Sequence, residues 1–144
     1  MFIDKGVPAT YTDILNQTVL YYAARENKLE CIDMLVKLGC NVNHRDTYGQ
    51  TPLYYAAREG HIPIAEKLIE LGSDVNSEDN NCQTALFYAA KEGKKEMCSF
   101  LIKKGANPNK QDKKHLTPLY WAKKQNKQDV MILKLFYIGG SASS

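Results

Sequence analysis

Aromatic pairs recur along this chain, each trailed by a cation and then an acid. Tyr21-Tyr22, Tyr54-Tyr55, Phe87-Tyr88 and Tyr120-Trp121 are spaced 33 residues apart. Three residues after each second ring come Arg25, Arg58, Lys91 and Lys124, followed by Glu26, Glu59, Glu92 and Gln125. Such residues suit recognition rather than bond-making. A ring buries one face and keeps a polar edge for a partner, and it attracts cations over its face.

Catalytic chemistry finds little to work with. No GxGxxG or phosphate-cradling glycine loop is present, and no Ser or Cys stands in a nucleophile elbow. His44, His61 and His115 lack finger-like spacing from Cys31, Cys40, Cys82 and Cys98, which form no CxxC pair. The cysteines are expected to be reduced, placing the protein in the cytoplasm or nucleus. The region is read as non-catalytic and cofactor-free; enzyme activity of a longer parent would lie outside it.

The 144 residues suffice for one domain or a short repeat array, with 44% hydrophobic and 24% charged residues. No apolar run approaches a membrane span, and no secretory signal opens the chain. Net charge is +3, unevenly placed: residues 1–90 balance at −5 and residues 91–144 at +8. Such a gradient can orient a polar partner. Lysine-rich stretches such as KKGANPNKQDKKH could touch phosphate, but the modest total charge and missing docking element disfavour direct nucleic-acid binding.

The elements that position the rings follow from the same period. Thr18, Thr51, Thr84 and Thr117 step by 33, as do Gly6, Gly39, Gly72 and Gly105, and Asp13, Asp46, Asp79 and Asp112. Thr51 is placed as an N-cap whose hydroxyl accepts from the first helical N–H groups, with Pro52 at the first helical position. Leu53, Ala56 and Ala57 fall on one helical face. Asn27, Gly60, Gly93 and Asn126 should end the first helix of each unit in a left-handed conformation. A second helix, apolar at Ile64, Ala65, Leu68 and Ile69, should end at Gly72.

The period and the T-P-L-x-x-A-A core resemble the ankyrin repeat, a β-turn plus two helices. The resemblance implies an all-α solenoid of stacked helix-turn-helix units with β-turn fingers over residues 1–138. The units are placed at 14–46, 47–79, 80–112 and 113–138, after a partial repeat at 1–13. Met1–Gly6 reads as the last turn of a second helix, so the chain is expected to be a fragment cut inside a repeat, since a natural array starts with a polar cap. One residue is inserted near 128–134, and the Gly/Ser-rich stretch 139–144 is expected to be a flexible tail.

The resemblance implies a monomeric module that binds a protein or peptide through its concave face and turn tips. Expected contacts are Tyr22, Tyr55, Tyr88, Trp121, Arg25, Arg58, Lys91, Glu26, Glu59, Glu92 and Tyr48, the last a rigid aromatic at a tip. Tyr21, Tyr54, Phe87 and Tyr120 stand in the slot where the family has His. Phe87 lacks a hydroxyl, so this first row is expected to pack between units rather than relay hydrogen bonds. His61 also falls where the family often has His and is read as structural. An alternative is a histone-tail, methyl-lysine reader of a SET-type histone-lysine methyltransferase, whose cage rings occupy the second slot. Here Arg58 and Lys91 stand where those readers place Glu, and Glu59 or Glu92 would compensate only by turning inward.

Overall fold

A computed structural model describes residues 8–128. Residues 1–7 of the expected partial repeat at 1–13, including the helical turn read at Met1–Gly6, lie outside them, as do the tail and all but the first residue of the stretch 128–134 where the insertion is expected.

Seven helices run through the described residues: α1 (Val19–Arg25), α2 (Leu29–Lys37), α3 (Pro52–Glu59), α4 (Ile62–Glu70), α5 (Ala85–Lys91), α6 (Lys95–Lys103) and α7 (Pro118–Lys124). α1, α3, α5 and α7 form one layer, each packed on the next, and α2 and α4 pack in a second layer behind. The two helices of a unit lie against each other, as α3 does on α4. This is an all-α helix-turn-helix solenoid.

Residue size explains the close stacking. Ala23, Ala24, Ala56, Ala57, Ala89 and Ala90 are buried where first-layer helices meet, with Leu20, Leu53 and Leu86 beside them. The second layer buries Ile32, Leu35, Ile64, Leu68, Met97 and Leu101. Burying one such Leu contributes about 1.5–3 kcal/mol.

Each first-layer helix stops the same way. Asn27, Gly60, Gly93 and Asn126 have φ between 56° and 78°, the left-handed turn that Gly and Asn tolerate. The N–H one residue later returns to the carbonyls of Ala23, Ala56, Ala89 and Ala122. The expected helix ends are therefore found.

The threonine caps differ from expectation. Only Thr117 accepts at its hydroxyl, from the Tyr120 N–H at 3.3 Å. In the other three units that N–H (Tyr21, Tyr54, Phe87) donates to the threonine's own carbonyl at 3.0–3.1 Å. The donor is spent, and the hydroxyls of Thr18, Thr51 and Thr84 are buried without a partner among the described residues.

The turns between units are held by the Asp ladder. Asp46 Oδ1 accepts from the Tyr48 and Gln50 N–H groups, both at 2.9 Å, and the Gly49 N–H closes onto the Asp46 carbonyl. Asp13, Asp79 and Asp112 repeat the arrangement. Neighbouring tips share single backbone bonds: Thr47 to Leu15, Asn80 to Tyr48 and Lys113 to Asn81. One bond per pair is too few for a ladder, so the fingers contain no strand among the described residues.

Candidate recognition face

The second aromatic row stands on buried carboxylates. Tyr55 donates its hydroxyl to Asp46 Oδ2 at 2.7 Å, and Gln17 Nε2 reaches the same oxygen at 2.9 Å. One unit on, Tyr88 donates to Asp79 Oδ2 at 2.6 Å and Gln50 to the same oxygen at 3.0 Å. In the next, Trp121 Nε1 donates to Asp112 Oδ2 at 2.9 Å and Gln83 at 2.8 Å. Each cluster joins a Gln before one helix to the Asp and ring of the following unit. Trp121 keeps the bond to the carboxylate because the indole N–H is also a donor. It cannot accept, so the bonds that the Tyr55 and Tyr88 hydroxyls receive from Gln17 and Gln50 Nε2 at 3.0 and 2.9 Å have no counterpart there. Tyr22, half exposed, makes no such bond among the described residues.

Burial sets the titration of these groups. It raises the Tyr55 and Tyr88 pKa values, and hydrogen bonding to Asp46 and Asp79 adds to the rise. Burial alone would raise Asp112; hydrogen bonds from the Leu116 N–H, Gln83, Trp121 and the Lys114 N–H outweigh it, leaving the carboxyl below its ordinary value.

Cations cover the rings from the other side. The Arg58 guanidinium carbon lies 5.0 Å from the Tyr55 centroid and 5.3 Å from that of Tyr88. Lys91 Nζ lies 4.5 Å from Tyr88 and 4.7 Å from Trp121, and donates to Gln83 Oε1 at 2.7 Å. Arg25 and Lys124 flank the row at 5.7 Å from Tyr55 and Trp121. Each inner cation thus bridges its own ring and the next unit's, within cation–π range. Burial lowers the Lys91 pKa against the pull of Asp79 and Asp112.

The second-row slots therefore differ from an open aromatic cage. The faces of Tyr55, Tyr88 and Trp121 already carry the chain's own cations. Glu26, Glu59 and Glu92 are exposed, and the acids beside the rings are Asp46, Asp79 and Asp112. Sequence reasoning missed the roles of these aspartates and of Gln17, Gln50 and Gln83. The signal was present: Gln recurs every 33 residues, and every second-row ring carries a donor.

The first row is also more than packing. Tyr21, Tyr54 and Phe87 are fully buried, as expected, yet the Tyr21 hydroxyl reaches the carbonyls of His44 (2.6 Å) and Gln50 (2.7 Å). The Tyr54 hydroxyl reaches those of Ser77 and Gln83. The hydrogen-bond relay that Phe87 argued against exists in two units and lapses at Phe87. Tyr120, at the last helix, is 40% exposed. His61 is structural, its Nε2 lying 3.0 Å from the Arg25 carbonyl.

At the tips, Tyr48 is half exposed, and its hydroxyl and ring make no hydrogen bond, ring pair or cation–π contact among the described residues. The four cysteines are unpaired; burial pushes the Cys98 thiol up to about 12, so it stays protonated and inert at neutral pH. Among the described residues no His, Cys, Asp and Glu are grouped to hold a metal ion, and no helix is long and apolar enough to cross a membrane.

The family model for ankyrin repeats (3 copies) matches residues 1–79 and 72–137. The chain belongs to the ankyrin-repeat family. No curated protein matches it. In this ankyrin array, the family's stacking geometry is reinforced by buried Gln–Asp–ring clusters that cross from unit to unit. Above them the charged row keeps its ring contacts, the Lys91–Gln83 hydrogen bond and the Arg25–Glu26 pair, while Glu59 and Glu92 are exposed.

Proposed function

We propose that this ankyrin array binds a protein or peptide segment laid across its concave face and turn tips. Tyr48, Arg58, Glu59, Lys91 and Glu92 are the central contacts, flanked by Arg25, Glu26, Tyr22 and Trp121. The observation that carries the reading is the exposed, uncommitted Tyr48 beside a charged row whose footing is fully hydrogen-bonded. A surface held rigid before binding loses little entropy when a partner arrives. A rigid ring with few rotatable bonds makes an efficient anchor.

The finer alternative, a methyl-lysine reader of the SET-methyltransferase type, gains no support from this geometry. A methylammonium group entering between Tyr88 and Trp121 would have to displace Lys91, and between Tyr55 and Tyr88 it would meet Arg58.

Photo-crosslinking tests the proposal. A photoreactive side chain placed at position 48 in cells should give discrete protein adducts that the same group at Glu66, exposed on α4, does not. Identical adducts from both positions, or none from position 48, would oppose it. Histone-tail peptides should bind no better when lysine-methylated.

A further inference from the structure

The tip row changes character along the array. It reads Ile14-Leu15, Thr47-Tyr48, Asn80-Asn81 and Lys113-Lys114. Ile14 is 95% exposed and Tyr48 51%, while the last tip is exposed and doubly basic. Apolar groups thus mark one end and cations the other.

The basic end is also concave. A cavity of about 190 Å³ lies between the third and fourth turns, lined by Lys91, Lys113, Lys114 and Trp121 together with Gln83 and Asp112. Asp112 is the single carboxylate in that lining, and both of its oxygens are engaged by hydrogen bonds. Lys110 pairs with Glu78 at 2.8 Å. Lys113 and Lys114 form no ion pair among the described residues, so their charge is available to a visitor.

We infer that this array recognises an acidic protein segment, seating a carboxylate side chain in the Lys91/Lys113/Lys114/Trp121 cavity with an apolar side chain at Tyr48. The inference rests on the protein-binding reading above and names the partner's chemistry. Packed helices stand about 8–10 Å apart, so the two-unit step from Tyr48 to Lys114 is roughly 20 Å. An extended chain covers that in about six residues at about 3.3 Å each. The segment therefore carries its acids about six residues from its apolar anchor. A nucleic acid fits less well. A longer polyanion running on from the basic end meets exposed Glu92, Glu59 and Glu26 in succession, whereas a short acidic stretch stops before them.

The test is to pan a random 12-residue display library against the full chain and against the K113E/K114E variant. These two lysines are exposed, so the variant should keep its helical circular dichroism. Wild-type selections should enrich Asp/Glu pairs about six residues from a Tyr, Phe or Leu. Recovered peptides should bind K113E/K114E at least about tenfold more weakly, and lose affinity as salt rises. Neutral or basic peptides, or equal affinity for the variant, would overturn the acidic-segment inference and leave protein binding standing. A labelled 12-nucleotide single strand that bound as tightly as the peptides would overturn it in favour of nucleic acid. Recovery of no peptide at all would overturn the protein-binding reading with it.

Discussion

Replacing Asp79 by Ala should be among the most damaging single changes in the array, and far worse than the same change at Asp13. Asp79 Oδ1 accepts two turn N–H groups, from Asn81 and Gln83. Its Oδ2 accepts Gln50 Nε2 from the preceding unit and the Tyr88 hydroxyl. The residue is 5% exposed, so water cannot replace what is lost. Two turn bonds at about 1 kcal/mol and two buried charge-assisted bonds at about 1.5 kcal/mol give a loss of roughly 5 kcal/mol. Asp13 makes the same two turn bonds, but it is exposed and its second oxygen has no such partners among the described residues, so D13A should cost about 1–2 kcal/mol. With m of about 1.5 kcal/mol/M, the urea midpoints of the two variants should differ by about 2 M. The assay is equilibrium urea unfolding followed by circular dichroism, with m compared across variants to expose unfolding of single units. Midpoints within about 0.5 M at equal m would refute the reasoning, because the Gln–Asp–ring cluster would then contribute nothing beyond the turn.

Three further outcomes follow from the same geometry. Thr84→Val removes a buried hydroxyl without a partner among the described residues and keeps its shape, so thermal unfolding should be unchanged or stabilised by up to about 1 kcal/mol; a loss above that would mean the hydroxyl caps after all. Phe87→Tyr should place a hydroxyl near the Lys110 and Leu116 carbonyls, as Tyr54 does one unit earlier, and stabilise by about 0–1 kcal/mol in urea melts; a marked loss would break the equivalence of the units. Burial first, and nearby carboxylates second, raise the pKa values of Tyr21, Tyr54, Tyr55 and Tyr88. For a raised value the associated stability is intact below the unfolded phenol pKa of about 10 and is lost as pH climbs beyond it. Phenolate absorbance at 295 nm should therefore show four tyrosines ionising together with the loss of helix, and their ionisation with helix intact would contradict the burial argument.

Much of the architecture is legible in the sequence because three residue types step by the same 33 positions. The left-handed residues Asn27, Gly60, Gly93 and Asn126 are local signals, and local signals survive into the fold. The errors lie where a group has more than one possible partner. A threonine before a helix can cap through its hydroxyl or its carbonyl, and Thr51 uses the carbonyl. A tyrosine can pack by its ring and also bond by its oxygen, and Tyr54 does both. The acid beside each second-row ring was sought at Glu59 and Glu92, close in sequence. It comes instead from Asp46, Asp79 and Asp112, nine residues before each ring, because the turn folds back over the helix it precedes. The ring types carried that information: the second row holds Tyr or Trp throughout, and the first row, whose hydroxyl is dispensable, admits Phe87.

The central claim is that partners meet the charged concave row and the turn tips, while the rings beneath serve as their footing. Amide chemical-shift mapping of the full chain, titrated with a peptide recovered from the library, tests it most directly. The account predicts that shifts concentrate at Tyr48, Arg58, Lys91, Lys113 and Lys114, with α2, α4 and α6 unmoved. Shifts gathered on α2, α4 and α6 would contradict it.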